Sequence, residues 1–246
     1  MQKINSDFTT YKAIVIGATG SVGSEIVRIL LSSDRCDQLT TISRKSIPEH
    51  SKLRRIIWKD FSSVLFQNES SSIIDYFKNI DVVFCCLGAS RTDAMKLLIC
   101  PKKYTHSFQL VDKQYVLKIA TISKVAGVSH FSMISAMQAS SKSLFIYSKI
   151  KGETEDMLQE LNLPSLSIFR PSQLLQHNGS VWEQILLKIF HAFNFFLPKK
   201  YKGIWVDDVA KSMIIEYEQR RMNKVFGSVV IESDRMQDIA KQEKRL

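Results

Sequence analysis

The stretch "VIGATGSVGSEIVRILL", residues 15–31, places glycines at 17, 20 and 23 between an apolar run and a segment of helical periodicity. "YKAIVIG" (11–17) reads as a short buried strand, and Val22, Ile26, Ile29 and Leu30 recur at helical spacing. Strand, glycine turn and helix in that order are what a dinucleotide diphosphate requires. Gly17 lets the chain turn sharply, Gly20 lets backbone approach the anion, and Gly23 allows close helix packing. Thr19, Ser21 and Val22 complete the turn, whose amides and helix N-terminus favour negative charge.

The rest of the chain repeats the alternation. Strands are expected at 38–43, 53–59, 81–88, 130–135 and 165–170, with a short helix in "SSSIIDYFKNI" (70–80), a helix over 111–125 ending at Gly127, and a helix over 147–161 stopped by Pro164. Residues 90–109 read as a polar connection. Parallel strands joined by helix-length crossovers give a Rossmann-type doubly wound α/β sheet. One domain spanning 1–246 is expected, with 172–205 and 222–246 forming a small C-terminal substrate lobe. Beyond residue 171 come an apolar helix (181–197), a helix (206–219), a strand "GSVVIES" and a charged final helix.

Composition limits the function classes. The 246 residues are 45% hydrophobic and 24% charged, as in a globular protein. The net charge of +10 is dispersed in short clusters, so specific nucleic-acid binding is not expected. Four cysteines without a Cys-x-x-Cys pair point to neither a disulfide framework nor a metal site, and fit a reducing, cytoplasmic compartment. No signal peptide and no transmembrane span is read. The wide apolar face of 181–197, followed by Lys199, Lys200 and Lys202, is read first as core and pocket lining, with a subunit interface or peripheral membrane contact as the alternatives. The oligomeric state is not legible.

The end of the second strand discriminates between cofactors. Ser43, Arg44 and Lys45 stand where a carboxylate would accept hydrogen bonds from a ribose 2′-OH. A guanidinium there binds a 2′-phosphate instead, so NADPH is expected over NADH. Further along, Tyr147 and Lys151 lie four apart at the start of a helix, one turn from each other, and Ser135 ends the preceding strand. A phenol is a poor acid–base at neutral pH unless an ammonium beside it favours the phenolate, and a serine hydroxyl can hold a substrate carbonyl or alcohol oxygen against it.

The order GATGSVG, DF (60–61), CLGAS (86–90), SMIS (132–135), YSKIKGE (147–153) and FRP (169–171) resembles an atypical short-chain dehydrogenase/reductase. More narrowly, "CLGASR", "VDKQYVLKIATISKVAGVSHF" and "YSKIKGETEDMLQELNLPSLSIFRPSQLL" are similar to the family of the HIV Tat-interactive protein 2. The resemblance implies a Rossmann fold binding NADPH, with Ser135, Tyr147 and Lys151 as the catalytic trio. It also implies Asp60 and Phe61 near the adenine, Leu87 and Gly88 along the cofactor, and Arg170 and Pro171 beside the nicotinamide end. The expected activity is reduction of a carbonyl or oxidation of an alcohol, with a small-molecule substrate. Because the family is linked to regulatory protein interactions, a cofactor-binding regulatory or scaffold protein with a protein partner is the competing expectation. The segment before the first strand is short, so partner binding through a longer N-terminal extension is not carried over.

Overall fold

The computed structural model describes residues 10–67, 70–88, 100–176 and 198–242. Its strands are β1 (Tyr11–Ile16), β2 (Cys36–Ser43), β3 (Leu53–Ile57), β4 (Val82–Cys85), β5 (His130–Ile134), β6 (Ser165–Arg170), β7 (Leu174–Leu175), β8 (Ile204–Trp205) and β9 (Gly227–Glu232). Seven of them form one parallel sheet in the order β3-β2-β1-β4-β5-β6-β9, while β7 and β8 pair separately. The chain reverses direction across the sheet between β1 and β4, the position at which doubly wound sheets open a crevice above their C-terminal strand ends.

β1 is buried on both faces from Ala13 to Ile16, as its apolar run requires, with Lys12 half-buried before it. Ala13 and Val15 enter one core and Ile14 and Ile16 the other, following the period of two along a strand. The first core is closed by α1 (Ser21–Ser32), which sets Val22, Ile26 and Leu30 against Val209, Ala210 and Met213. On the second face, Val116, Ile119 and Ala120 pack with Leu158 over β4 and β5.

The helices differ from the sequence expectation in one consequential place. Residues 101–109, assigned to a polar connection, are mostly helical: α3 follows the short α2 (Ser70–Ile74) and spans Pro101–Phe108. It continues through a wide π-type turn, Gln109–Tyr115, into α4 (Val116–Val125). Its apolar anchors are Tyr104 and Phe108, which pack on Ile146, Tyr147 and Ile150. Two aromatics among polar residues leave too weak a periodicity to read.

The described C-terminal elements add to the sheet and to its first core. α6 (Val206–Met222) covers the sheet, β9 is the sheet's edge strand, and α7 (Ser233–Gln242) places Met236 and Ile239 in the same core as α1. The apolar helix expected over 181–197 lies outside the described residues. Among the described residues no helix is long and apolar enough to cross a membrane.

α5 (Ile146–Glu160) carries Tyr147 and Lys151, and its position is fixed by a backbone approach at Gly152. A Cβ there would lie 2.1 Å from the Ser140 carbonyl carbon and 2.2 Å from the Ser141 nitrogen. Gly152→Ala must therefore displace either helix or loop, and a loss of about 1–3 kcal/mol is expected in urea unfolding. An unchanged midpoint would contradict this packing.

Candidate active site

The glycine turn is built as the diphosphate reading requires. Gly17 has a φ of +81°, and a Cβ on it would meet the Cys86 carbonyl oxygen at 2.6 Å. A Cβ on Gly23 would lie 2.3 Å from the Gly17 carbonyl oxygen, so the helix can approach the turn only with glycine there. Gly20 donates its N–H to the Gly17 carbonyl at 2.9 Å and begins α1 without a side-chain cap or an acidic residue in the first turn. The first-turn amides consequently lack intrahelical acceptors and face no competing carboxylate on the helix.

From this turn a cleft of about 1160 Å³ crosses the C-terminal ends of the strands. Gly17, Thr19, Gly20, Ser21 and Val22 line its floor, and Ser21 accepts a hydrogen bond from Gln176 on the opposite wall. Leu87 and Gly88 follow β4 along it. At the far end of β2 and β3 it is lined by Arg44, Asp60 and Phe61, together with Lys59. Lys45 does not line the cleft: Ser43 donates its hydroxyl to the Lys45 carbonyl at 2.5 Å, turning the chain aside. Gly23 acts beneath the turn rather than on the cleft surface.

At the opposite end the cleft is lined by Ser135, Tyr147, Lys151 and Pro171. Tyr147 sets its ring edge-on against Phe108, with centroids 5.9 Å apart. Lys151 is 2% exposed, forms an ion pair with Asp112 Oδ1 at 2.8 Å and donates to the Ile134 carbonyl at 3.3 Å. Burial by itself disfavours the Lys151 ammonium. The Asp112 carboxylate, with Tyr147 beside it, outweighs that and holds the ammonium above its ordinary range. Burial raises the phenol of Tyr147, Lys151 draws it down, and Asp112 pushes it up again. The net direction is upward: Lys151 lowers the phenol as expected, and burial outweighs it. The phenol is held in its protonated form.

Ser135 also has an unexpected partner. It donates its hydroxyl to Glu155, which is 1% exposed and is clasped by Arg170 through Nε at 3.0 and 3.1 Å and through Nη2. Arg170 reaches Glu232 on β9 as well, at 3.4 Å. The Arg170 guanidinium thus stands behind Ser135 through Glu155 and does not line the cleft, unlike its neighbour Pro171.

Comparison with known proteins places this architecture. The family model described as NAD(P)H-binding matches residues 17–187. The chain belongs to this NAD(P)H-binding family. Protein HTATIP2 of Rattus norvegicus is 29% identical over 184 residues, covering 70% of this chain and 67% of that protein. Protein FMP52, mitochondrial, of Meyerozyma guilliermondii is 31% identical over 182 residues, 72% of each chain. Among solved structures, MoeE5 in complex with UDP-glucose and NAD matches with a TM-score of 0.63 at 17% identity, over 96% of this chain and 82% of that one. The oxidoreductase ylbE from Lactococcus lactis matches at 0.61 and 14%, over 96% and 97%. At these identities the two structures share the fold.

Within this NAD(P)H-binding domain, the residues that sequence reasoning missed are Asp112, Glu155, Lys59 and the α3 wall of Tyr104, Ser107 and Phe108. Two had a local signal. Asp112 lies in the stripe with Val116, Ile119 and Ser123, buried positions of one helical face, where a lone carboxylate calls for a cation. Glu155 extends Tyr147 and Lys151 by one further turn on the same face of α5.

Asp112→Asn removes a charge that raises the Tyr147 phenol. The Tyr147 phenol is expected to titrate lower in this variant than in the wild type, as read from labelled-tyrosine NMR with Tyr147→Phe assigning the resonance. An equal or higher titration midpoint would show that Asp112 does not set the phenol's charge balance.

Proposed function

We propose that the chain is an NADPH-dependent oxidoreductase of the short-chain dehydrogenase/reductase type, acting on a carbonyl or alcohol substrate. The observation that carries this reading is the buried Lys151–Asp112 pair beside Tyr147 and Ser135, at the end of a cleft that begins on an uncapped glycine turn. The cradle fits the cofactor: glycines stand where a Cβ would strike backbone, and the first turn of α1 has no acid to repel a diphosphate. Gly20, Ser21 and Val22 would hold the diphosphate, Asp60 and Phe61 the adenine end, and Arg44 a 2′-phosphate. The bound cofactor supplies hydride to a carbonyl carbon or accepts it from an alcohol.

The chain's own residues manage the proton. Tyr147, kept protonated by burial and Asp112, gives its proton to the substrate oxygen as negative charge develops there. Lys151, charged and fixed, stabilises the phenolate that remains. Ser135 polarises the oxygen by turning its proton away from Glu155, a carboxylate already neutralised by Arg170.

The second reading is an NADPH-binding regulatory or scaffold protein with little turnover. One observation favours it: Ser135 donates to Glu155, Lys151 is ion-paired with Asp112, and among the described residues Tyr147 shares a hydrogen bond with neither of them. A protein partner then replaces the small-molecule substrate as the read-out of the cofactor. On compartment, the cysteine usage supports a reducing, cytoplasmic setting, whereas FMP52 of Meyerozyma guilliermondii is labelled mitochondrial.

Tyr147→Phe separates the two readings. With a panel of aldehydes, ketones and quinones followed by NADPH absorbance, the wild type is expected to turn over at least one compound and the variant to lose about 100-fold or more. Turnover unchanged by the substitution would contradict the mechanism, and none in the wild type would favour the scaffold reading. In calorimetric titration the wild type is expected to bind NADPH more tightly than NADH, and Arg44→Asp to lose that preference. Equal wild-type affinities would remove the case for 2′-phosphate recognition.

A further inference from the structure

Lys59 stands outside every role assigned so far, yet it lines the cleft beside Arg44. The two residues leave adjacent parallel strands whose ends are locked together. Ser43 pairs with Ile57 in the β2–β3 register, and Trp58 donates its N–H to the Ser43 carbonyl at 2.9 Å. Neighbouring strands lie about 5 Å apart, so the residues following this bond begin side by side.

The segment holding Lys59 is anchored on both sides. Trp58 is 4% exposed, Phe61 is 6% exposed, and their rings meet edge-on at 5.2 Å. Lys59 and Asp60, between the two buried aromatics, are both exposed at the cleft. The Asp60 carboxylate accepts the Ser62 N–H at 2.9 Å and makes no ion pair with Lys59. Among the described residues neither Arg44 nor Lys59 has a carboxylate partner. Two unneutralised cations on two rigid strand ends match a phosphate monoester, which carries close to two negative charges at neutral pH.

We propose that Lys59 is a second cofactor-selecting cation, holding the 2′-phosphate from the β3 side while Arg44 holds it from β2. This rests on the NADPH reading given above and divides its selectivity between two strands. Arg44 supplies a planar fork for the phosphate oxygens, and Lys59 a point charge that needs no fixed geometry. Such a lysine contributes only where the extra phosphate is present, because the 2′-OH of NADH offers it no charge.

Calorimetric titration of the full chain with NADPH, NADH, 2′,5′-ADP and 5′-AMP tests this. Lys59→Ala is expected to weaken NADPH and 2′,5′-ADP roughly three- to tenfold, leave NADH and 5′-AMP unchanged, and lose its effect at high salt. Lys59→Arg is expected to retain wild-type affinities. If the wild type prefers NADPH while Lys59→Ala leaves all four ligands unchanged, or weakens them equally, the assignment of Lys59 is overturned and that of Arg44 stands. If the wild type binds NADPH and NADH equally, the 2′-phosphate reading fails and takes Lys59 with it.

Discussion

The ion pair between Lys151 and Asp112, almost wholly withdrawn from solvent, is the constraint around which the site is organised. Taking two charges out of water is unfavourable unless each meets the other at close range, and removing one partner of such a pair costs about 3–5 kcal/mol. Lys151 comes from α5 and Asp112 from the π-type turn, so the pair clamps two elements that Lys113 and Glu153 also join nearer the surface, at 2.7 Å. Thr154 strengthens the same seam by donating to the Asp112 carbonyl at 3.1 Å. Around Tyr147, burial raises the phenol first of all, and the two charges of the pair act on it in opposite directions.

The remaining geometry follows from how the backbone is allowed to approach itself. Gly17 and Gly23 bring α1 against the end of β1, and Gly152 brings α5 against the loop at Ser140. One approach shapes the glycine turn at the head of the cleft, and the other fixes the helix that carries Tyr147 and Lys151. Between them, the reversal of strand order at β1 and β4 supplies the crevice that joins the two ends. Behind the serine, Glu155, Arg170 and Glu232 link β5, β6 and β9, so the edge strand of the sheet reaches the site through charge rather than through packing.

What could be read from the sequence was local. The strand, the turn at Gly17–Gly23 and the helix after it are contiguous, so composition and periodicity revealed them together. Tyr147 and Lys151 were legible because helical spacing alone makes them neighbours. Asp112 was not, because its meaning depends on a lysine thirty-nine positions later in the chain that only the folded sheet brings to it. The place of β9 was hidden for the same reason: its strand character is visible in "GSVVIES", but pairing of Gly227 with Ser165 is a property of the assembled sheet. Lys59 looked like one more solvated lysine after a strand, and only the bond from Trp58 to Ser43 shows that it stands beside Arg44.

The central claim is that a nicotinamide nucleotide lies along this cleft with its reactive ring facing Tyr147 over an intact Lys151–Asp112 pair. A crystal structure of the full chain grown in excess NADP+ tests it most directly. The account predicts the diphosphate against the amides of Gly20, Ser21 and Val22, the ring beside the Tyr147 phenol, and Lys151 still within ion-pair distance of Asp112. A nucleotide bound elsewhere, or a ring turned away from Tyr147, would contradict it.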